Sequence, residues 1–397
     1  MRGWTLSVVG GLFIVASLTG AQTPNSSENT KWQATAIDPG YSVGWFDCVW
    51  RDDTLYVATR ERFGYYLKLF SYYDGRLTEA GVPSRYDDSV LWKQGFYSYD
   101  LLDDNLDLVA ANDTAILWYD LAGNGENRKA VSRYSAGKFA KARVEAIAGY
   151  PRNDGVYMVF RGGDYKKVLD IDNNPRFYGK YFLIAVDSLK ASETKTFGKG
   201  RRDCDFFHGI LTGDTLCAVY REREAGPWYA PNRKHTEQTL FLKYHDGNWS
   251  EPTVVSTEEQ FPGVFSWPAG FYRANGEFYL ITVSVSEGKK MRQALYWQSS
   301  GDGVTWSTPE LAVASVQNFA AGGVASSGNI HLLTHDPADG RLIHHVVFDG
   351  SEWFDNGVVF SADESGFRFE QGPGGSLYLF YAVGDVDQRT IRFVRVE

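Results

Sequence analysis

Cysteine is scarce in this chain: Cys48, Cys204 and Cys217 are the only three in 397 residues. An odd count, with each thiol in an apolar strand-like setting, argues against a disulfide framework, which a large β domain does not need. Three buried free thiols are expected, because cysteine is among the most buried residue types. Charge is sparse too, at 22% Asp, Glu, Lys and Arg, and the net charge of -9 is spread along the chain rather than blocked. That distribution speaks against a nucleic-acid surface and fits plain solubility. No long stretch repeats its apolar residues at helical spacing. The strongest apolar run, Leu6 to Leu18, is shorter than the roughly 20 residues that a membrane span takes.

That run follows Arg2 and reaches the small residues Gly20 and Ala21 before the polar stretch QTPNSSENT. This is the layout of a cleaved secretory signal. The expectation is a signal peptide over 1–21, a secreted protein (periplasmic or extracellular), and one domain over 22–397. No Cys follows Leu18-Thr19-Gly20, so a lipid anchor is not supported.

Glycine (41) and aromatic residues (15%) are abundant, as in all-β proteins rich in turns. One element recurs through the chain. A polar turn leads into an alternating apolar strand at Asp52 (DDTLYVATRE), and the pattern returns at Asn105 (NLDLVAAN), Gly155 (GVYMVFRG), Asp214 (DTLCAVYR), Gly276 (GEFYLITV), Gly328 (GNIHLLTH) and Gly375 (GSLYLFYA). Each copy has strand periodicity and is flanked by further strand-like runs, giving four antiparallel strands per unit. Units of about 40 to 60 residues with four strands each are the signature of a β-propeller. The last unit lacks an outer strand, and the otherwise unassigned KWQATAID (Lys31 to Asp38) can supply it and remove an exposed edge. The predicted fold is therefore all-β: a seven-bladed β-propeller closed by the N-terminal strand, with a six-bladed ring as the alternative.

Aligning the copies on the first apolar residue of the repeated strand puts Arg60, Arg161, Arg221 and His335 at one equivalent position, where the other copies carry Ala111, Val283 and Ala382. Arg62 and Arg223 follow two residues later in the copies that read RER. Guanidinium groups gathered in a concave site suit a carboxylate or sulfate, since each planar fork can bind two oxygens. The competing structural reading pairs each arginine with a nearby acid, Glu61, Glu222 or Asp164. The loops after the third and fourth copies are enlarged on the same face, where function tends to be placed.

Entering strands add Asp205, His208, Arg368 and Glu370 near that face. His208 is a candidate general acid or base, and Tyr220 and Tyr381 are candidate proton donors or nucleophiles, with core packing the alternative for each. Asp170, Asp172 and Asn174 in DIDNNP alternate like calcium ligands, yet the glycine and distant glutamate of that loop are missing; no cofactor is expected, with calcium at these three residues the alternative. Trp228, Tyr229, Phe265 and Trp267 are candidates to stack on sugar rings or to pack between blades.

The stretch SSGDGVTW, Ser299 to Trp306, resembles the Asp-box of the sialidase-like (BNR-repeat) propellers, Ser-x-Asp-x-Gly-x-Thr-Trp. Ser299, Gly303, Thr305 and Trp306 match; Gly301 stands where the Asp belongs, and Asp302 follows one place late. HDGNWSEP at His245 and FDGSEWFD at Phe348 are fainter echoes. The resemblance implies a secreted protein acting on carbohydrate, with the box serving as a folding device on the face opposite the active site. Sialidases also carry an Arg-Ile-Pro motif, which is absent here, and grip a carboxylate with three arginines, for which Arg60, Arg161 and Arg221 are analogues by position in the repeat.

Taken together, the expected function is binding and cleavage of an anionic (uronate, sulfated or sialylated) polysaccharide, by hydrolysis or by elimination. His208 and Tyr220 are the expected catalytic groups, and Arg60, Arg161, Arg221, Arg223, His335 and Arg368 the substrate-binding ones. The protein is expected to be a monomer whose partner is an acidic glycan, with no nucleic acid and no membrane span. A non-catalytic lectin-like or protein-binding propeller is the alternative.

Overall fold

The computed structural model describes residues 32, 34–62, 67–80, 98–102, 107–111, 116–120, 128–132, 146–152, 155–169, 175–187, 195–197, 202–224, 237–263, 265–286, 292–361, 364–385 and 388–397. The proposed signal peptide, the DIDNNP residues Asp170, Asp172 and Asn174, and Trp228 and Tyr229 lie outside them.

Among the described residues the strands form seven antiparallel sheets. Sheet I is Val43–Arg51, Thr54–Glu61, Leu67–Tyr73 and Arg76–Glu79; sheet II is Ser98–Leu102, Asp107–Ala111, Ile116–Asp120 and Arg128–Ser132. Sheet III is Ala146–Arg152, Gly155–Leu169, Pro175–Asp187 and Lys195–Phe197. Sheet IV is Arg202–Thr212, Thr215–Glu224, Glu237–His245 and Asn248–Trp249, with Thr253–Thr257 pairing on the third of these. Sheet V is Phe265–Ala274, Glu277–Ser286, Arg292–Ser300 and Glu310–Val316; sheet VI is Asn318–Val324, Ile330–His335, Ile343–Phe348 and Trp353–Phe360. Sheet VII is Glu364–Gln371, Leu377–Val383 and Thr390–Arg395, completed by Thr35–Ile37.

Within each sheet the order follows the chain, as short hairpin turns dictate. The first strand of each sheet touches the first strand of the next, and that of sheet VII touches that of sheet I, so the array closes on itself. The repeated sequence element is the second strand throughout. Its period of two gives each sheet two apolar faces, and the cores lie in the seams between sheets. Leu216, Ala218 and Tyr220 of sheet IV pack on Tyr157, Val159 and Leu183 of sheet III. Val219 and Phe241 of sheet IV face Phe271 and Leu280 of sheet V on the other side.

The unassigned N-terminal segment does close sheet VII: Thr35 pairs with Phe393, Ala36 with Arg392 and Ile37 with Ile391. Ile37 is almost fully buried among Val43, Leu55, Val57, Phe380 and Phe393, and so joins sheets VII and I. All three cysteines are buried, and none is in a disulfide among the described residues.

One expectation needs correcting. The enlarged segment after the third copy is not an irregular loop at its base. Beyond the Arg161–Tyr181 pair the two strands continue pairing from Gly162–Lys180 to Tyr165–Phe177 and, after a bulge, at Leu169–Pro175. The first strand of sheet III ends its pairing at Arg161. The result is a two-stranded arm that runs on past the sheet.

In the SSGDGVTW turn, Asp302 takes the tying role despite its displaced position. Its Oδ1 accepts from Val304 N (2.7 Å) and Thr305 N (2.8 Å), Gly303 N donates to Ser300 Oγ, and Trp306 Nε1 donates to Gly303 O (3.1 Å). A similar carboxylate-tied turn joins the third and fourth strands of sheet VI through Asp349.

Closure predicts a specific loss. Ile37→Ala removes a buried side chain from the seam where the two ends of the fold meet, and a buried Ile→Ala change costs about 2–5 kcal/mol. Urea unfolding should show that loss, whereas the partly exposed Thr35→Ala should change stability by no more than about 0.5 kcal/mol.

Candidate functional site

The pairing of each first strand with its second puts one residue per sheet into a common layer. Asp47 faces Ala58, Asp100 faces Val109, Ala148 faces Val159, His208 faces Val219, Gly270 faces Ile281, Ala321 faces Leu333 and Arg368 faces Phe380. Four of the seven are ionisable, which is unusual inside strands that are otherwise apolar.

Three of the four meet where sheets VII, I and II adjoin. Arg368 Nη1 pairs with Asp47 Oδ1 and stands 4.0 Å from Asp100 Oδ1, and its Nε donates to Glu370 Oε1. Asp47 also accepts from Cys48 N and Leu101 N, each at 2.8 Å, and Asp100 Oδ2 accepts from Gly149 N at 2.7 Å. The Asp47 side chain is 1% exposed, but Asp100 and Glu370 are each 21% and Arg368 35% exposed, so the cluster is sealed on one side and open on the other.

Among the described residues one guanidinium stands among three carboxylates, an excess of negative charge in a poorly solvated place that a proton relieves. Burial, then the neighbouring Asp47 charge, pushes the Asp100 carboxyl up to about 7 against the opposing pull of Arg368. Asp47 is raised as well, by burial, with Arg368 working the other way. Burial works against the charge on Arg368, yet the three carboxylates keep it firmly protonated. Asp47 and Asp100 escaped sequence reading because each is a single acid in a short apolar run; a charge at mid-strand was the available signal.

A second cluster forms in sheet IV. The two Asp205 oxygens take Arg221 Nε and Nη2 at 2.7 Å each, a fork-to-fork pair, and Arg221 Nη1 reaches Glu237 Oε2 and Ser266 O at 3.3 Å each. Arg221 also lies over the Phe206 ring, and Arg223 Nη2 is 3.7 Å from Asp205. Burial pushes Asp205 upward, but Arg221, then Arg223 and Arg161, hold it below the usual carboxylate range. Glu258 is raised to about 7 by burial and then by Glu237, against Arg221.

The expected site residues therefore divide. Arg161, Arg221 and Arg223 do converge, all acting on Asp205. Arg221 is a buried structural ion pair, with Asp205 and Glu237 as partners rather than the acids expected. Arg161 Nε donates to Cys204 O across the seam between sheets III and IV at 2.6 Å. Arg60 is half-buried in sheet I, and His335 Nδ1 donates to Gly340 O at 2.8 Å in sheet VI. Arg368 belongs to the axial layer.

The two expected catalytic groups are placed in the interior. Tyr220 is fully buried in the apolar core between sheets III and IV, on the opposite pleat from Arg221. His208 Nε2 donates to Pro268 O of sheet V at 3.2 Å, and burial lowers its pKa, which keeps the ring neutral. Tyr381 is likewise buried, between sheets VI and VII. Phe206 and Trp267 stack on each other across a seam, as in the packing alternative for Trp267. Among the described residues no group of three or more His, Cys, Asp and Glu is arranged to hold a metal, and no helix is long and apolar enough to cross a membrane.

A closed array of four-stranded sheets is the architecture of a β-propeller, and a solved structure shares that fold. An ulvan lyase, described as a new family of polysaccharide lyase, aligns over 93% of this chain and 96% of its own at TM-score 0.59 and 12% identity. An α-L-arabinofuranosidase from Fusarium graminearum aligns over 93% and 99% at TM-score 0.48 and 12% identity. The Trypanosoma rangeli sialidase aligns over 94% of this chain and 60% of its own, at 0.45 and 11%. The first of these shares the fold; the other two are too distant in shape to carry weight. No protein-family model and no curated protein sequence matches the chain.

Two outcomes test the site's electrostatics. Arg221→Ala strands Asp205 and Glu237 without their partner, and breaking a buried pair in this way costs about 3–5 kcal/mol; Arg223→Ala, at a 39% exposed side chain, should cost no more than about 1 kcal/mol. Both are read by denaturant unfolding. Asp100 titrates near 7 when folded, above its ordinary value of 3.8. Its proton therefore stabilises the fold fully below about pH 4, and that contribution is lost as pH rises through about 7. Unfolding measured across that window should show a decline that Asp100→Asn removes.

Proposed function

We propose that the chain is a secreted, seven-bladed propeller, one domain over 22–397 behind a signal peptide, that binds and cleaves an anionic polysaccharide. The observation that carries this reading is the axial cluster: Asp100 holds a proton near neutrality beside the Glu370 carboxyl group and charged Arg368, on the solvent-facing side of the cluster. Carboxyl groups whose surroundings separate their pKa values supply an acid and a base at the same pH. In hydrolysis, protonated Asp100 donates to the leaving glycosidic oxygen while the second carboxylate activates water or attacks the sugar. In elimination, Arg368 neutralises a uronate carboxylate, the Glu370 carboxylate takes the proton on the adjacent carbon, and protonated Asp100 donates to the glycosidic oxygen as its bond to the next carbon breaks. Either route assigns the proton-transfer work to Asp100 and Glu370 rather than His208 and Tyr220, which are held inside seams. The fold shared with an ulvan lyase supports a polysaccharide ligand.

A second reading rests on the internal contacts of the same residues. Asp47 and Asp100 each bond the backbone of the next sheet, a purely architectural use, and the ring would then be a lectin-like binder.

A screen against uronate-containing, sulfated and sialylated polymers, read by unsaturated products and by new reducing ends, separates the two. The catalytic reading expects turnover that falls as pH rises through about 7 and drops at least about 100-fold in Asp100→Asn. Binding without turnover of any polymer, unchanged in Asp100→Asn, would leave the lectin reading.

A further inference from the structure

Among the described residues, five other than glycine have a positive φ. Asp52, Asp74, Asp246 and Asn275 sit in hairpin turns, where Asp and Asn tolerate that conformation. Phe206, at +53°, sits inside the first strand of sheet IV. A bulky aromatic residue is strained there, and strain of this kind gathers at ligand sites.

The strain belongs to a bulge. Asp205 pairs with Arg221 and His208 with Val219, so Phe206 and Phe207 together oppose Tyr220. Two residues against one re-aim a side chain. Phe207 packs on the core between sheets III and IV, its N–H donating to Tyr181 Oη at 3.0 Å. Phe206 meets Trp267 of sheet V instead, with ring centroids 5.7 Å apart and planes inclined by 23°. The Arg221 guanidinium lies 4.7 Å from the centre of the Phe206 ring and is itself held by Asp205, Glu237 and Ser266 O. Trp267 rests in turn on the core between sheets V and VI. The two rings are therefore fixed in place, yet both stay half-buried, and Phe265, on the same pleat as Trp267, is 43% exposed.

Their place in the ring matters. Counted around the closed array from sheet I, sheet IV is three steps away in one direction and sheet V three in the other. The seam that carries the aromatic pair thus lies across the axis from sheet I and its Asp47. Trp267 faces Val283, two residues along the strand from the axial-layer residue Ile281, and Phe206 lies between Asp205 and the axial-layer His208. Two residues of strand span about 7 Å, so the rings stand just beyond the axial acids, toward the end of the array where the enlarged segments arise.

We propose that Phe206 and Trp267 form a stacking subsite for a sugar ring, across the axis from the axial acids, that recognises the C–H face of the sugar rather than its charge. An aromatic face is electron-rich and apolar, which suits the C–H groups on one side of a pyranose. Rings already fixed by Arg221 and by the core lose little freedom on binding. That the stacked unit belongs to a polymer being cleaved rests on the function proposed above; the stacking of a saccharide on these two rings does not.

The test uses the full-length protein, with affinity for cellohexaose, polygalacturonate and dextran sulfate measured by calorimetry. The variants are Trp267→Leu, Phe206→Ala, Phe206→Gly and Phe206→Tyr, with Tyr73→Leu, at a 61% exposed side chain of sheet I, as the control. Wild type should bind at least one probe, and that affinity should fall about tenfold or more in Trp267→Leu, Phe206→Ala and Phe206→Gly. Phe206→Tyr and Tyr73→Leu should stay within about twofold of wild type. The loss relative to wild type should be the same at low and high salt, because stacking is not screened. Glycine adopts a positive φ freely, so Phe206→Gly should unfold at a temperature no lower than Phe206→Ala and keeps the ring deletion readable in a folded protein. Wild-type affinity in Phe206→Gly and Trp267→Leu, an equal loss in Tyr73→Leu, or binding of none of the three probes by wild type overturns the subsite. Turnover that drops in Asp100→Asn while the aromatic variants keep their affinity overturns the subsite alone. Affinity lost in those variants, with no turnover by wild type, supports the subsite and counts only against the catalytic reading.

Discussion

The fold depends on side chains of the innermost strands that reach across a seam to the backbone of the next sheet. Asp47 binds Leu101 N, Asp100 binds Gly149 N, Tyr150 accepts from Gly209 N, His208 binds Pro268 O, and Arg368 closes from the last sheet onto Asp47. Antiparallel ladders hold each sheet together but say nothing about which sheet lies beside which. Apolar packing in the seams supplies the larger energy, roughly 25 cal/mol per Å² buried, yet it tolerates sliding. Each polar link contributes only about 1 kcal/mol net, but it is directional and fixes the height of one sheet against its neighbour.

That arrangement has a chemical consequence. A side chain able to bridge a seam must be polar, and near the axis it is held in little solvent. Where the links are neutral, as at His208, the result is a structural contact. Where sheets VII, I and II meet, the links are charged and unequal in number, with three acids to one arginine, and a proton is trapped near neutrality. The same geometry that registers the blades thus keeps the Asp100 carboxyl protonated near neutrality. At Asp205 the opposite balance holds: three arginines act on one acid, which stays ionised, and Glu237 takes up part of the surplus charge.

The strand plan was legible in the sequence because the second strand of every sheet repeats one pattern, and KWQATAID stood out as a strand with no hairpin partner. The arginine position was legible for the same reason: register transfers from copy to copy. What each arginine binds was not. Arg221 is paired with Asp205 of the adjoining strand and with Glu237 of the next, and such partners depend on a bulge in the first strand between Asp205 and His208. Tyr220 lies in the core while its neighbour Arg221 faces the other way; one step along a strand exchanges a core for a polar face. The axial acids went unnoticed since Asp47 and Asp100 come from separate short strands, brought together by closure rather than by spacing.

Closing the ring forces a proton onto the acids of sheets I and II. Carbon-13 NMR titration of the aspartate carboxyls, assigned through Asp100→Asn and Asp47→Asn, measures it directly. The Asp100 resonance should titrate near 7. A carboxyl ionised throughout the range above about pH 5, as for an ordinary exposed aspartate, would contradict it.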